Sequence, residues 1–157
     1  MGKKSACIIA YRKKENELQV LLVHPGGPFW KNKDAGSWSF PKGEYEEGEE
    51  PLQVALREFK EETGNEITAT TFIELTPVKL KSGKVIKAWA AENDFENCFI
   101  KSNTFQLEWP PKSGRIQDFP EVDKAGWFSL EEAAAKLNEA QGKLLEELKH
   151  QVSNYAQ

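Results

Sequence analysis

The sequence predicts a single domain of the α/β class, a sandwich in which helices pack on a mixed set of strands. Two β-branched-rich apolar runs, residues 5–11 and 18–23, flank the polar turn RKKENE near the start. An apolar stripe at helical spacing follows Pro51. Strands and helices then alternate without an internal repeat, a low-complexity tract or a linker. A length of 157 residues suits one domain over 1–157. A chain of that size buries about 68–70% of the surface its unfolded form exposes, so it has a core and needs no staples.

Taken in order, residues 5–11 and 18–23 read as a strand, a turn and a strand. Residues 24–36 contain HPGGPFW and KNKDAG and read as a loop. Residues 38–40 read as a short strand leading into PKGE. Pro51 suits the first position of the next helix, with Glu49 and Glu50 near its positive end. Gly64 suits the residue just past its end. Leu52, Ala55, Leu56, Phe59 and Thr63 form the stripe expected to be buried. Residues 67–80 and 85–92 read as strands around the turn KSGK. Residues 101–121, KSNTFQLEWPPKSGRIQDFPE, hold three prolines and little periodicity and read as one long loop. Residues 126–129 suggest a last strand. Ser129 with Glu132 three residues on makes a capping-box pattern. Leu144, Leu145 and Leu148 continue a helical C-terminus.

Composition bounds the function. The hydrophobic fraction is 39% and the charged fraction 29%, which reads as soluble and globular. A net charge of -4 and a pI near 5.4 argue against a general nucleic-acid binder. An anionic substrate stays compatible, because bound metal ions reverse the local field. Cys7 and Cys98 make neither a disulfide framework nor a CxxC pair, and a reduced, cytoplasmic setting is the simplest expectation. The apolar run in MGKKSACIIAYRKK is about five residues, too short for a signal peptide or a membrane span.

Glu58, Glu61 and Glu62 lie off the apolar stripe. At about 100° per residue they cluster on one side of the helix, roughly a quarter turn or more from the stripe's centre. Glu58 and Glu62 are like charges at i,i+4, which costs an isolated helix about 0.2–0.5 kcal/mol. A solvated acidic face would tolerate that cost. A hard divalent cation would offset it, since carboxylate oxygens are its preferred ligands.

The surrounding residues choose between these readings. From Gly43 the chain runs GEYEEGEEPLQVALREFKEETGN. This resembles the Nudix box: Gly, five residues, Glu, seven residues, then Arg-Glu-hydrophobic-any-Glu-Glu-any-Gly-hydrophobic. Gly43, Glu49, Arg57, Glu58, Phe59, Glu61, Glu62 and Gly64 fit. With residue frequencies of about 5–7%, a chance match at the fixed positions has odds on the order of one in a hundred million. Asn65 departs, standing where the family has an apolar residue; Ile67 is a candidate to fill that gap. The flanks agree. WSFPKG before the box is similar to the segment that enters it. Residues 120–128, PEVDKAGWF, resemble the segment that carries an additional acidic residue in diadenosine polyphosphate hydrolases and RNA pyrophosphohydrolases.

The resemblance implies the Nudix fold, an α/β/α sandwich around a mixed β-sheet, and hydrolysis of a phosphoanhydride bond with Mg2+ as cofactor and Mn2+ as a substitute. It implies Glu58, Glu61 and Glu62 as metal ligands, with Glu58, Glu62 and Glu121 as the catalytic glutamates. Glu121 would join the metal site as ligand or base; Glu92, Glu96 and Glu108 are its rivals. Gly43 either offers its carbonyl to a metal or serves only the turn. Glu49 and Arg57 would pair to hold the loop on the helix. Lys42 and Arg115 are candidates for phosphate. Trp30 and Trp109 are candidates to stack on a base, with Phe29 beside them, whereas Trp38 reads as core. His24 reads as a hydrogen-bonded structural residue.

The expected partner is a small nucleotide, with no membrane association; the oligomeric state stays open. PEVDKAGWF together with VIKAWAAE leans towards dinucleoside polyphosphates or nucleoside triphosphates. The alternatives are a nucleotide-sensing domain without turnover, and a pyrophosphohydrolase of RNA 5′ ends or sugar nucleotides.

Overall fold

A computed structural model describes residues 3–155. The elements run β1 (Lys4–Lys14), β2 (Glu17–Pro25), β3 (Lys42–Tyr45), α1 (Pro51–Thr63), β4 (Ile73–Glu74), β5 (Val78–Lys79), β6 (Val85–Glu92), β7 (Thr104–Glu108), β8 (Ile116–Pro120), β9 (Val122–Ser129), α2 (Leu130–Lys136), a 3₁₀ turn (Glu139–Gln141) and α3 (Gly142–Tyr155). The main sheet has the order β4-β6-β1-β2-β9, with β3 also on β1 and β5 also on β6. β1 and β6 run parallel and the other pairs antiparallel, so the sheet is mixed.

β1 reads as an unbroken apolar run because both of its faces are covered. Ala6, Ile8 and Ala10 point to one side with Leu21, Val23 and the α1 residues Ala55 and Phe59. Cys7, Ile9 and Tyr11 point to the other with Val20, Leu22 and the α3 residues Leu144, Leu145 and Leu148. The result is the expected α/β/α sandwich. β1 and β2 extend beyond the apolar runs to a two-residue turn, Glu15–Asn16. Both residues have positive φ, 53° and 64°, as the hairpin's twist requires.

α1 begins and ends where the sequence placed it, with Pro51 in its first turn and Gly64 in the left-handed conformation at φ 79°. The capping box is present: Glu132 N donates to Ser129 Oγ at 3.1 Å, and Ser129 N donates to Glu132 Oε1 at 3.1 Å. Asn65 has its own role in place of an apolar residue: it is buried and its Nδ2 donates to Asn97 O at 2.8 Å. Ile67 packs beside it against the α1-side core.

Four expectations need correction. Residues 67–80 are not one strand; only β4 and β5 form, with Pro77 between them. Residues 38–40 make single bridges rather than a strand. Residues 101–121 are not an unstructured loop. They carry the hairpin β7–β8, with Thr104 opposite Pro120 and Glu108 opposite Ile116. β7 alternates only over Phe105 and Leu107, β8 is almost wholly exposed, and the prolines sit in the turn and at the end of β8. Finally, the buried set of α1 is Val54, Ala55, Phe59, Glu62 and Thr63, while Leu52 and Leu56 are only half-buried.

Candidate active site

The last turns of α1 present Glu58, Glu61 and Glu62. Glu62 was expected off the buried stripe, yet it is only 8% exposed. The sheet explains this: β3 lies against α1, and the Lys42 N–H of β3 donates to Glu62 Oε2 at 3.2 Å. Burial pushes the Glu62 carboxyl well above the usual range, and the charge of Glu58 pushes it further. Glu58 is raised by burial first and then by Glu61, with the Arg57 guanidinium opposing. Glu121 is raised by burial first and then by Glu61.

Glu121 reaches this group through the backbone. Asn103 N donates to Glu61 O at 2.9 Å, and Glu121 N donates to Asn103 O at 2.8 Å. The segment before the hairpin therefore ties the start of β9 to the end of α1. None of its three rivals appears among the charges that act on Glu58 or Glu62.

Gly43 lies within β3, opposite Ala6, and not in a turn. A β-carbon there would strike Cγ and Cδ of Glu58 and stand 2.7 Å from its Oε1, so only glycine lets Glu58 lie against the strand. Arg57 stands 3.8 Å from Glu49, 3.7 Å from Glu58 and 4.0 Å from Glu61. The expected Glu49–Arg57 pair is thus part of a wider fork. With two of the carboxylates leaning on Arg57, no three His, Cys, Asp or Glu side chains among the described residues converge as a ready-made metal site. The donor set nevertheless fits a hard cation: the acidic side chains offer only oxygen, and their mutual repulsion is what a divalent cation relieves.

Lys42 stands beside the carboxylates, and Lys84 stands next to Lys42. Lys42 acts electrostatically on Glu62. Lys84, missed in the sequence because it sits in a commonplace KSGK turn, lies close enough to Lys42 that burial first and then that like charge lower its pKa. Glu44 holds it at 3.8 Å. Cys7 is no nucleophile: burial pushes its thiol up to about 12.

The remaining candidates stand apart from this centre. Trp109 and Arg115 sit at the distal end of the β7–β8 hairpin. β8 lies between Arg115 and Glu121 and separates them by roughly 20 Å along the strand. The loop after β2 follows the hairpin: Gly27 approaches Phe105, and Phe29 meets Trp109 edge-on at 5.3 Å. Phe29 and Trp30 are exposed, and the Lys33 ammonium lies 5.2 Å from the Trp30 ring centre. Trp38 is core, as expected, with its Nε1 donating to Asp34 at 2.7 Å. His24 is fully buried, and its ring nitrogens meet Asp123 Oδ1 at 2.8 Å and Lys33 O at 2.6 Å.

The family model described as the NUDIX domain matches residues 1–148. The chain belongs to the Nudix family. It is 29% identical over 117 residues, 74% of its length, to Nudix hydrolase 10 of Arabidopsis thaliana, of which it covers 37%. It is 42% identical over 60 residues, 35% of its length, to the asymmetrical bis(5'-nucleosyl)-tetraphosphatase of Mus musculus, of which it covers 41%. The chain thus spans about two-fifths of the length of these curated relatives. The binary complex of the C. elegans Ap4A hydrolase shares the Nudix fold, with a TM-score of 0.68 at 23% identity over 97% of this chain and 98% of that one. Among the described residues no helix is long and apolar enough to cross a membrane.

Proposed function

We propose that this Nudix chain hydrolyses a phosphoanhydride bond in a nucleoside diphosphate-linked compound, with Mg2+, or Mn2+ in its place, as cofactor. The observation that carries the reading is the grouping of Glu58, Glu61, Glu62 and Glu121, whose carboxyls act on one another, beside the Lys42 ammonium. Glu58, Glu61, Glu62 and Glu121 would hold the cation with the Gly43 carbonyl. A divalent cation held there would supply charge neutralisation of the anhydride oxygens and a more acidic water. The chain supplies the rest. Glu62 is fixed by the Lys42 N–H, and Glu58 by its bed against Gly43. Glu121, arriving from the junction of β8 and β9, orients the attacking water and takes its proton. Lys42 and Lys84 face the polyphosphate.

The substrate we favour is a dinucleoside polyphosphate, diadenosine tetraphosphate first, cleaved to a nucleoside triphosphate and a monophosphate. The likeness to the mouse tetraphosphatase supports this, as do the exposed rings of Phe29 and Trp30 and the half-buried Trp109 beside Phe29. Stacking on such rings is worth about 1–3 kcal/mol per base. Arg115 beside Trp109 is a further candidate for phosphate.

The test is product release from a panel of dinucleoside polyphosphates, nucleoside triphosphates, sugar nucleotides and inorganic polyphosphate, with and without magnesium, resolved by anion exchange. Magnesium-dependent cleavage of diadenosine tetraphosphate is expected. Trp109→Ala is expected to slow it by about tenfold, the equivalent of one base's stacking, while sparing inorganic polyphosphate. Preference for a sugar nucleotide would sink the substrate reading and leave the hydrolase.

A further inference from the structure

We infer that His24 and Asp123 form a positioning pair that aims Glu121 at the α1 carboxylates; this rests on the reading of Glu121 given above. The argument starts from strand register. β2 and β9 pair regularly from Gln19–Ser129 to His24–Lys124, and then Pro25 faces Val122. Asp123 is the extra residue, so β9 carries a bulge two positions after Glu121. A bulge bends its strand, adds twist and re-aims side chains, and such features gather beside active sites.

A bulge residue without a partner would leave its carboxylate to solvent. Here one oxygen of Asp123 is drawn inward to His24 Nδ1 at 2.8 Å, although its side chain stays one-third exposed. The His24 ring is fixed on every side. Nε2 meets Lys33 O at 2.6 Å, and the ring stands edge-on to Trp38 at 5.2 Å. Both nitrogens face acceptors, so the ring donates to both only when it carries both protons. The nearby charges are the Asp123 carboxylate, the Lys124 and Lys136 ammoniums beside Trp38, and Asp34, which Lys136 holds at 3.0 Å.

The backbone of Glu121 is meanwhile pinned on both sides. Its carbonyl accepts from Gly26 N at 2.9 Å, and its N–H donates to Asn103 O at 2.8 Å. A β-carbon at Gly26 would run into the Pro120 carbonyl, so the chains approach as closely as glycine allows. With the backbone fixed, the direction of the Glu121 side chain follows from the twist at the bulge, which the His24–Asp123 bond holds. A histidine serving the core alone needs neither the bulge nor an exposed partner.

The test compares Asp123→Ala, His24→Asn and His24→Gln in the wild type and in a Glu121→Gln background. Asparagine keeps a donor near Nδ1 and so near Asp123; glutamine places its amide near Nε2 instead. Turnover of diadenosine tetraphosphate and Mn2+ affinity are both measured, and melting temperature confirms folding. Loss of an outer-shell partner typically costs about 10–100-fold in metal affinity or activity. In the wild type, Asp123→Ala and His24→Gln are expected to lower kcat and Mn2+ affinity by about tenfold or more, with KM changed less than kcat and with His24→Asn retaining more than His24→Gln. In Glu121→Gln the same changes are expected to add less than about twofold, because the group they aim is gone.

Equal losses in both backgrounds would overturn the inference, since the pair would then act elsewhere. A Glu121→Gln protein with unchanged turnover and Mn2+ affinity would overturn it together with the assignment of Glu121. Should the His24 variants fail to fold, Asp123→Ala, at a partly exposed side chain, decides alone. Should no panel compound turn over, the hydrolase reading falls and the Mn2+ arm decides.

Discussion

At neutral pH the Glu62 carboxylate sits at 8% exposure with Glu58 and Glu121 acting on it. Its folded pKa is raised, so the fold favours its protonated form. The stabilising contribution is therefore complete below the unfolded value, about 4.3, and is lost as pH rises through the raised folded value. In a chelator, Glu62→Gln is expected to melt above the wild type near pH 8, because the amide keeps an acceptor for Lys42 N–H and drops the charge. Calorimetry at falling pH should show that advantage shrinking towards pH 5. Turnover should fall steeply at the same time. A variant that loses activity and melts lower at every pH would place Glu62 among structural residues. The residues that carry this chemistry were legible because their spacing is local: Glu58, Glu61 and Glu62 are neighbours on one helix. Glu62's burial was not legible, because it depends on where β3 lies.

Individual elements were readable wherever their signals were short-range. Pro51 and Gly64 bracket α1, and Ser129 with Glu132 opens α2, at the positions the sequence gives. The β7–β8 hairpin was hidden because its strands bury little and their partners are fixed by register alone. The bulge at Asp123 was hidden for the same reason, since register is a property of two strands and not of one. The cap of α2 offers a clean test of element stability. Ser129→Ala leaves the Glu132 N–H without its acceptor and should cost about 1 kcal/mol. α2 packs on the face of the sheet opposite α1. Denaturant melts should show the loss while turnover per folded molecule stays unchanged.

For the whole molecule, the acidic site is a source of repulsion that ligand binding relieves. A cation that binds only the folded state raises the melting temperature with concentration. Millimolar magnesium or manganese should therefore raise it, and Glu61→Gln with Glu62→Gln should abolish the rise. An equal rise in the double variant would put the binding site elsewhere. The sandwich was predictable from the order of strands and helices along the chain, whereas the distance between Trp109 and Glu121 was not. That distance comes from the length of β8 and sets how far a substrate must extend to touch both.

The parallel pairing of β1 with β6 bears on how the chain is made. Lys4 faces Val85 and Tyr11 faces Glu92, so β1 waits for β6 to emerge before that edge is closed. Until residue 92 has left the ribosome, that apolar strand can pair only with β2 and β3. Long-range parallel pairing is intrinsically slow and leaves edges open to aggregation. A nascent chain halted before Val85 should accordingly remain open to proteases and to chaperones that bind apolar segments. Extension past Glu92 should close that window.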